Sequence, residues 1–389
     1  MRKEYKKTLS KDKNILTVIL SNSARFKFSK KFDEKYLDEK ILRVKTLNST
    51  LPPMLPHYAD QLERDVIRRS IHGTAAIEGN PLSEEEVGKI LNSATDSELL
   101  DDAEQQIRNL ELAYKALKSF GKDIKAINIP MLTVSGFHQA ITQKLINDGN
   151  IPGKLRTHKV LVGDKEHGGI YTPPKIAKDI VRLMNDYIEW LNSSEIKSID
   201  PIYRAVLAHY HFGLIHPFGD GNGRTARLIE AVILRAAGYK YMPEMLSNFY
   251  FRNLNNYFII FRSTERNKQD ITPFVDFVLN GIIWSLERIH ERSLAMITYL
   301  LLKEHYEQAR NGYKITQRQH DLLKVLLTKT NDDFKFTAQN LIRDAPFDVL
   351  YRSMHKIAAN RDIKKLQKMN YLVEEEPNKF ILNTELLDQ

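Results

Sequence analysis

From residue 58 to about 300, apolar positions return every three or four residues, in runs punctuated by Pro, Gly and Asn. That period predicts a mainly helical stretch. One interruption stands out: residues 159–163 and 169–171 read as two short strands around a polar turn, closed by Pro173 and Pro174. Ahead of this region, residues 15–20 and 26–28 are β-prone pieces between polar clusters, and Pro52, Pro53 and Pro56 forbid a regular helix at the segment's end. Beyond Thr316 the pattern changes. Gln317–Leu327 and Ala338–Arg343 read as short helices, 349–368 as a longer one, and 371–373 with Lys379–Leu382 as a hairpin turned at Pro377 and Asn378. Three helices and a hairpin are the order of a winged helix. The predicted division is a basic arm with short strands over 1–54, a helical domain over 55–300 and a winged-helix-like domain over 301–389.

Composition narrows the class. A chain of 389 residues allows two or three domains, and 42% hydrophobic residues supply enough core to exclude disorder as the main state. No run reaches the ~18 uncharged apolar residues of a membrane helix. The start, Met1 to Tyr5, has no apolar signal core behind it. Cysteine is absent, which excludes disulfides and thiolate chemistry. A soluble, cytoplasmic protein is the expectation. The net charge of +9 is uneven: residues 1–50 hold 14 Lys and Arg against 6 Asp and Glu, whereas residues 313–389 hold 13 against 11. The N-terminal excess suits either an acidic partner such as nucleic acid or a plain solvated surface.

The segment richest in chemistry is 216–227, His-Pro-Phe-Gly-Asp-Gly-Asn-Gly-Arg-Thr-Ala-Arg. Asp200 and Pro201 suit the start of a helix ahead of it, and Gly213 and Pro217 mark that helix's end. From Arg224 to Ala237 a second helix is predicted, with Gly238 in the left-handed cap position. Gly221 and Gly223 let the connection turn back on itself and offer successive N–H groups at a helix N-terminus, a natural anion nest. Arg224 and Arg227 are three apart and reach one face of the first turn. Cations there oppose the helix dipole by about 0.3–1 kcal/mol each, so a strong anion such as phosphate is implied. Asp220 is a hard carboxylate of the type Mg²⁺ takes, and His216 is neutral near pH 7 and able to accept a proton. Singly, each of these residues is an ordinary turn or surface feature. Together they supply the separate parts of a phosphate-transfer site.

This segment resembles the Fic family signature, His-x-Phe-x-(Asp/Glu)-Gly-Asn-Gly-Arg-x-x-Arg, at every fixed position, and the likeness extends over roughly residues 55–290. The resemblance implies a mainly α fold, a Fic helical core with a small β-hairpin flap, and a protein adenylyltransferase that moves AMP from ATP to a Ser, Thr or Tyr hydroxyl of a protein. It implies His216 as general base, Asp220 as the Mg²⁺ ligand, Gly221, Asn222 and Gly223 around the α- and β-phosphates with Arg224 assisting, and Arg227 on the γ-phosphate. Thr225 and Ala226 complete the implied nucleotide-binding stretch. The hairpin at 158–172 is similar to the Fic flap, which by that likeness registers a target protein by strand addition, with Val162 and Gly163 nearest the nucleotide. Tyr257 and Phe258 stand where many relatives carry a Tyr-Tyr pair by the adenine; their helical spacing equally suits a core.

Residues 74–79, Thr-Ala-Ala-Ile-Glu-Gly, put Thr74 and Glu78 on one helical face, with Gly79, Asn80 and Pro81 stopping the helix and Ser83 with Glu86 forming a capping box for the next. An anion in a last turn is disfavoured by the dipole, which points to a cationic partner. The stretch resembles the Fic inhibitory motif, (Ser/Thr)-x-x-x-Glu-(Gly/Asn). That likeness implies that Glu78 pairs with Arg227 and denies it to the γ-phosphate; self-modification and removal of AMP are further activities it allows.

In the C-terminal region, 359–366 looks like a recognition-helix stretch, and Arg361, Lys364, Lys365 and Lys368 would face phosphates if DNA binds. Glu374, Glu375 and Glu376 in the wing repel a phosphate backbone. A docking or homo-oligomer role is the rival, and a DNA-binding regulator using the Fic core as a nucleotide sensor is the alternative to an enzyme.

Overall fold

A computed structural model of the chain describes residues 7–9, 13–93, 100–117, 127–145, 149–267, 269–329, 334–352 and 354–386. Residues 1–6 and 10–12 of the basic arm lie outside the described residues. The chain divides into two compact units, Met1–His290 and Glu291–Gln389.

The first unit opens with an antiparallel sheet in the order β1 (Lys7–Leu9), β2 (Ile15–Ile19), β3 (Arg25–Ser29). Register runs from Ile15 opposite Ser29 to Ile19 opposite Arg25. Alternation then turns Phe26 and Phe28 inward, where they join the unit's core. Next comes α1 (Glu34–Ser49), started by Asp33, whose carboxylate accepts from the Tyr36 N–H at 3.0 Å. Its stripe of Leu37, Ile41 and Val44 is buried in the same core.

The remaining helices of this unit are α2 (Pro56–Ile77), α3 (Glu84–Asn92), α4 (Asp102–Leu117), α5 (Met131–Thr142), α6 (Ala177–Leu191), α7 (Ser194–Ser198), α8 (Pro201–Ile215), α9 (Asn222–Ala236), α10 (Met242–Arg252), α11 (Leu254–Arg266) and the first part of α12 (Thr272–Asn311). Helices α8 and α9 are buried on nearly every side, as expected of central helices rather than surface ones. Helix α2 packs on α10 through Gly73, where a Cβ would stand 3.0 Å from the Ser247 carbonyl oxygen. The capping box before α3 is formed: Ser83 Oγ accepts from the Glu86 N–H, and Glu86 accepts from the Ser83 N–H at 2.8 Å.

The second unit holds the rest of α12, then α13 (Gln317–Leu327), α14 (Ala338–Arg343), α15 (Asp348–Tyr351), α16 (Lys356–Lys368) and the hairpin β4 (Leu372–Glu376) and β5 (Lys379–Leu382). Its core is separate and includes Leu322, Leu326, Phe336, Phe347, Ile363, Leu366 and Phe380. The long helix expected over 349–368 is two helices. Arg352 turns extended (φ −55°, ψ 128°), which ends α15 with Tyr351 inside, its hydroxyl donating to Asp362 Oδ2 at 3.1 Å. Among the described residues no helix is long and apolar enough to cross a membrane.

Candidate active site

The site grows from the connection between α8 and α9. Asp200 caps α8, accepting from the Ile202 N–H at 3.0 Å, with Pro201 in the first turn. The helix ends on His216, which takes a left-handed conformation (φ 49°, ψ 61°). A non-glycine residue there carries about 1–3 kcal/mol of strain and persists only when its surroundings hold it. Arg156 does so: Nε donates to the His216 carbonyl at 2.7 Å, Nη1 to His158 O at 2.7 Å and Nη2 to Pro174 O at 2.7 Å. Asn222 closes the turn, accepting from the Phe218 N–H and donating to the Phe218 carbonyl, both at 2.9 Å. Its amide is thereby committed to the loop. Gly221 (φ 73°) caps α9, and Thr225 Oγ1 donates back to its carbonyl at 2.9 Å.

The surroundings of the His216 imidazole favour one tautomer. Its Nδ1 lies 3.4 Å from the Gly213 carbonyl, which can only accept, so Nδ1 carries the proton and Nε2 keeps its lone pair. Burial pushes its pKa down to about 4, against partial opposition from the Gly213 carbonyl and Glu78. At neutral pH this ring is a free base.

Behind the loop, His138 on α5 donates from Nε2 to the Asp220 carbonyl at 2.9 Å, accepts on Nδ1 from the Gly153 N–H at 2.9 Å, and stacks on Phe218 with ring centroids 3.7 Å apart. Burial holds it, too, down at about 4. Asn150 Oδ1 accepts from the Asp220 N–H at 3.1 Å. Gly219 has to be glycine, because a Cβ would stand 2.5 Å from the Gly149 carbonyl oxygen.

The two arginines of the first turn differ. Arg224 is 2% exposed; Nη2 donates to Asp220 Oδ2 at 2.8 Å, but Nε and Nη1 are buried without a hydrogen-bond partner among the described residues. A buried guanidinium with two unused donors is a site awaiting an acceptor. Arg227 is engaged through Nε and Nη2: Nε donates to Thr74 Oγ1 at 2.7 Å, and Nη2 to Glu78 Oε1 at 2.7 Å and to the Thr74 carbonyl at 3.3 Å. Burial opposes its charge, yet Glu78 and Tyr257 outweigh that and hold the guanidinium above its ordinary value. Glu78 is the C-cap of α2, and Gly79 (φ +88°) ends the helix there. Its carboxylate presses on α9 so closely that a Cβ at Gly223 would collide with Oε1.

The other expected residues are less close-knit. Ala226 faces the core. Tyr257 is buried, with its hydroxyl 2.9 Å from His209 Nε2 and its ring stacked on Tyr250 at 5.0 Å, and burial pushes its pKa up to about 12. Phe258 is partly exposed and meets His167 edge-on at 5.5 Å. The hairpin is reduced to one bridge, Val162 with Tyr171, because Gly163, Gly168 and Gly169 all take positive φ and Asp164 folds the turn around its own side chain. Leu161 and Ile170 flank that bridge, 55% and 48% exposed.

Among the described residues no group of three or more His, Asp or Glu is arranged to hold a metal ion. The Asp220 carboxylate, 35% exposed beside the α9 N-terminus, fits one cation whose other ligands come from phosphate and water, the habit of Mg²⁺. Sequence reasoning did not find His138, Asn150 or Arg156. Each is a lone polar residue far from the motif, with no periodic signal to mark it.

Residues 132–234 match the family model described as Fic/DOC family, so this chain carries a Fic/DOC domain. It is similar to the protein adenylyltransferase Fic of Drosophila yakuba, 30% identical over 220 residues, 56% of this chain and 40% of the relative, and to that of Drosophila melanogaster at 29%. The chain thus aligns with about 40% of the length of these curated relatives. Among solved structures, Fic-1 from C. elegans is 26% identical, with a TM-score of 0.51, over 66% of this chain and 72% of that one. A Fic family protein from Desulfovibrio desulfuricans shares the fold over 89% of this chain and 95% of its own, with a TM-score of 0.54 at 18% identity.

Proposed function

We propose that this chain transfers AMP from ATP to a hydroxyl of a protein, and that Glu78 restrains the reaction. The observation that carries the reading is the two donor nitrogens of buried Arg224 left without a partner among the described residues at the α9 N-terminus, on the same connection that begins with the neutral imidazole of His216. The triphosphate lies along the 221–224 backbone, with its charge met by the helix N-terminus and by Arg224. His216 Nε2 takes the proton of the target hydroxyl. The oxygen bonds to the α-phosphorus as the bond to the bridging oxygen of the β-phosphate breaks, and pyrophosphate leaves. Bound through Asp220, Mg²⁺ would supply charge neutralisation at the phosphates. Positioning does the rest: Arg156 and His138 hold the loop, and the exposed edge of 158–172 takes the target segment.

In the present arrangement Arg227 is committed to Glu78 and Thr74. Charge-assisted contacts of this kind are worth about 1.5–3 kcal/mol, so freeing Arg227 for a γ-phosphate is expected to raise transfer about 10- to 100-fold. The test is incubation with Mg²⁺ and ATP labelled on the α-phosphate, followed by counting label on protein. Glu78→Gly is expected to exceed the parent, and His216→Ala in the Glu78→Gly background to lose about 10²–10⁴-fold. Equal label in all three chains sinks the proposal.

A further inference from the structure

The second unit presents a surface of its own. Along α16, Lys356, Ile357, Asn360, Arg361, Lys364, Lys365 and Lys368 are exposed, while Ala359, Asp362, Ile363 and Leu366 are buried. At 100° per residue the exposed set covers one unbroken half of the helix. Five of its seven members are cations, and none of the five has an ion-pair partner among the described residues. The helix's one acid, Asp362, faces inward and is consumed there, accepting from Arg318 Nε at 2.7 Å, Gln319 Nε2 at 2.8 Å and the Tyr351 hydroxyl at 3.1 Å. Those contacts also fix the helix to α13 and α15, so the cationic face is rigid.

The acidic wing does not cancel it. Lys335 bridges Glu375 at 3.0 Å and Glu376 at 2.7 Å, and Lys379 reaches Glu376 at 2.8 Å. Glu374 accepts from the Asn378 N–H at 2.7 Å. The wing is close to self-neutralised, and the helix is not.

We propose that α16 docks in the major groove of duplex DNA. A helix of this length spans about 20 Å and fits a groove about 12 Å wide. Lys356, Lys364, Lys365 and Lys368 meet phosphates, while Asn360 and Arg361, at mid-helix, are the residue types that hydrogen-bond adenine and guanine edges. Duplex RNA is disfavoured because its major groove is too narrow for a helix. This inference stands apart from nucleotide transfer and survives or fails without it.

The test is fluorescence anisotropy of the whole chain with a labelled mixed-sequence DNA duplex of about 20 base pairs, long enough for one docked helix and its flanks. Four phosphate contacts predict roughly a 100-fold loss of affinity between about 50 and 200 mM KCl. Lys364→Glu with Lys368→Glu is expected to weaken binding at least tenfold with an unchanged circular dichroism spectrum, and Lys364→Arg with Lys368→Arg to retain it. Three results overturn the proposal. One is no binding at the lower salt. Another is equal binding by the charge-reversed variant, as contact through the basic residues before position 50 would produce. The third is tighter binding to duplex RNA or polyglutamate than to DNA.

Discussion

The first turn of α9 and the outer face of α16 are both cationic, yet they hold charge in opposite ways. Arg224 and Arg227 are 2% and 3% exposed, Arg224 aimed by Asp220 and Arg227 by Thr74 and Glu78. The α16 cations are exposed and unpaired among the described residues. Stripping water from a guanidinium costs several kcal/mol unless a partner replaces it, so a buried arginine demands one acceptor in one geometry. An exposed lysine pays no such penalty and serves any polyanion of the right spacing. Burial makes a binding site for a single group; a row of exposed charges makes a field.

Three substitutions or titrations sharpen that contrast. The largest effect is expected from Arg224→Met, in a Glu78→Gly background. Loss of a buried donor to the phosphates predicts about a 10²–10³-fold fall in labelled-AMP transfer. Melting temperature should change little, because the one bond lost is to the partly exposed Asp220 carboxylate, and Nε and Nη1 have no hydrogen-bond partner among the described residues. A large drop in stability with transfer intact would show Arg224 to be structural.

A second test uses three buried histidines: His138 and His216 at the same loop, and His211 on α8, whose Nε2 lies 2.8 Å from the Ser29 carbonyl. His138, His211 and His216 are each pushed down to about 4 by burial, against about 6.5 in an unfolded chain. Between those values the unfolded chain binds the extra protons. Stability is therefore full above pH 6.5 and falls as pH drops toward 4, by about 1.4 kcal/mol per pH unit for each histidine. Denaturant melts at pH 7, 6 and 5 measure it, and His211→Gln should flatten the slope by one histidine's share.

The smallest effect is expected on α16. Lys364→Ala alone should leave the melting temperature unchanged and reduce the slope of log affinity for duplex DNA against log salt by about 1. A change in melting temperature instead would place that lysine in the fold rather than on the surface.

Much of this architecture was legible where chemistry is local. The caps at Asp200 and Ser83, and the helices Gln317–Leu327 and Ala338–Arg343, follow from short-range hydrogen bonding and period. The two helices joined by a tight turn at 216–223 were legible because Pro217, Gly221 and the capping residues mark the turn locally. What escaped depends on distant partners. Helix α1 was hidden because its apolar stripe is only Leu37, Ile41 and Val44 among many charges. The break after Tyr351 reflects a hydroxyl drawn to Asp362. Arg156 gives no sign in sequence, since its acceptors lie at 158, 174, 215 and 216.

That arginine has a mechanical corollary. One flat cation fastens the backbone entering the hairpin, the backbone leaving it and the peptide unit that carries the imidazole. A pull on either arm of the hairpin therefore tugs the same rivet, and the hairpin and the backbone beneath the His216 imidazole travel as a single part.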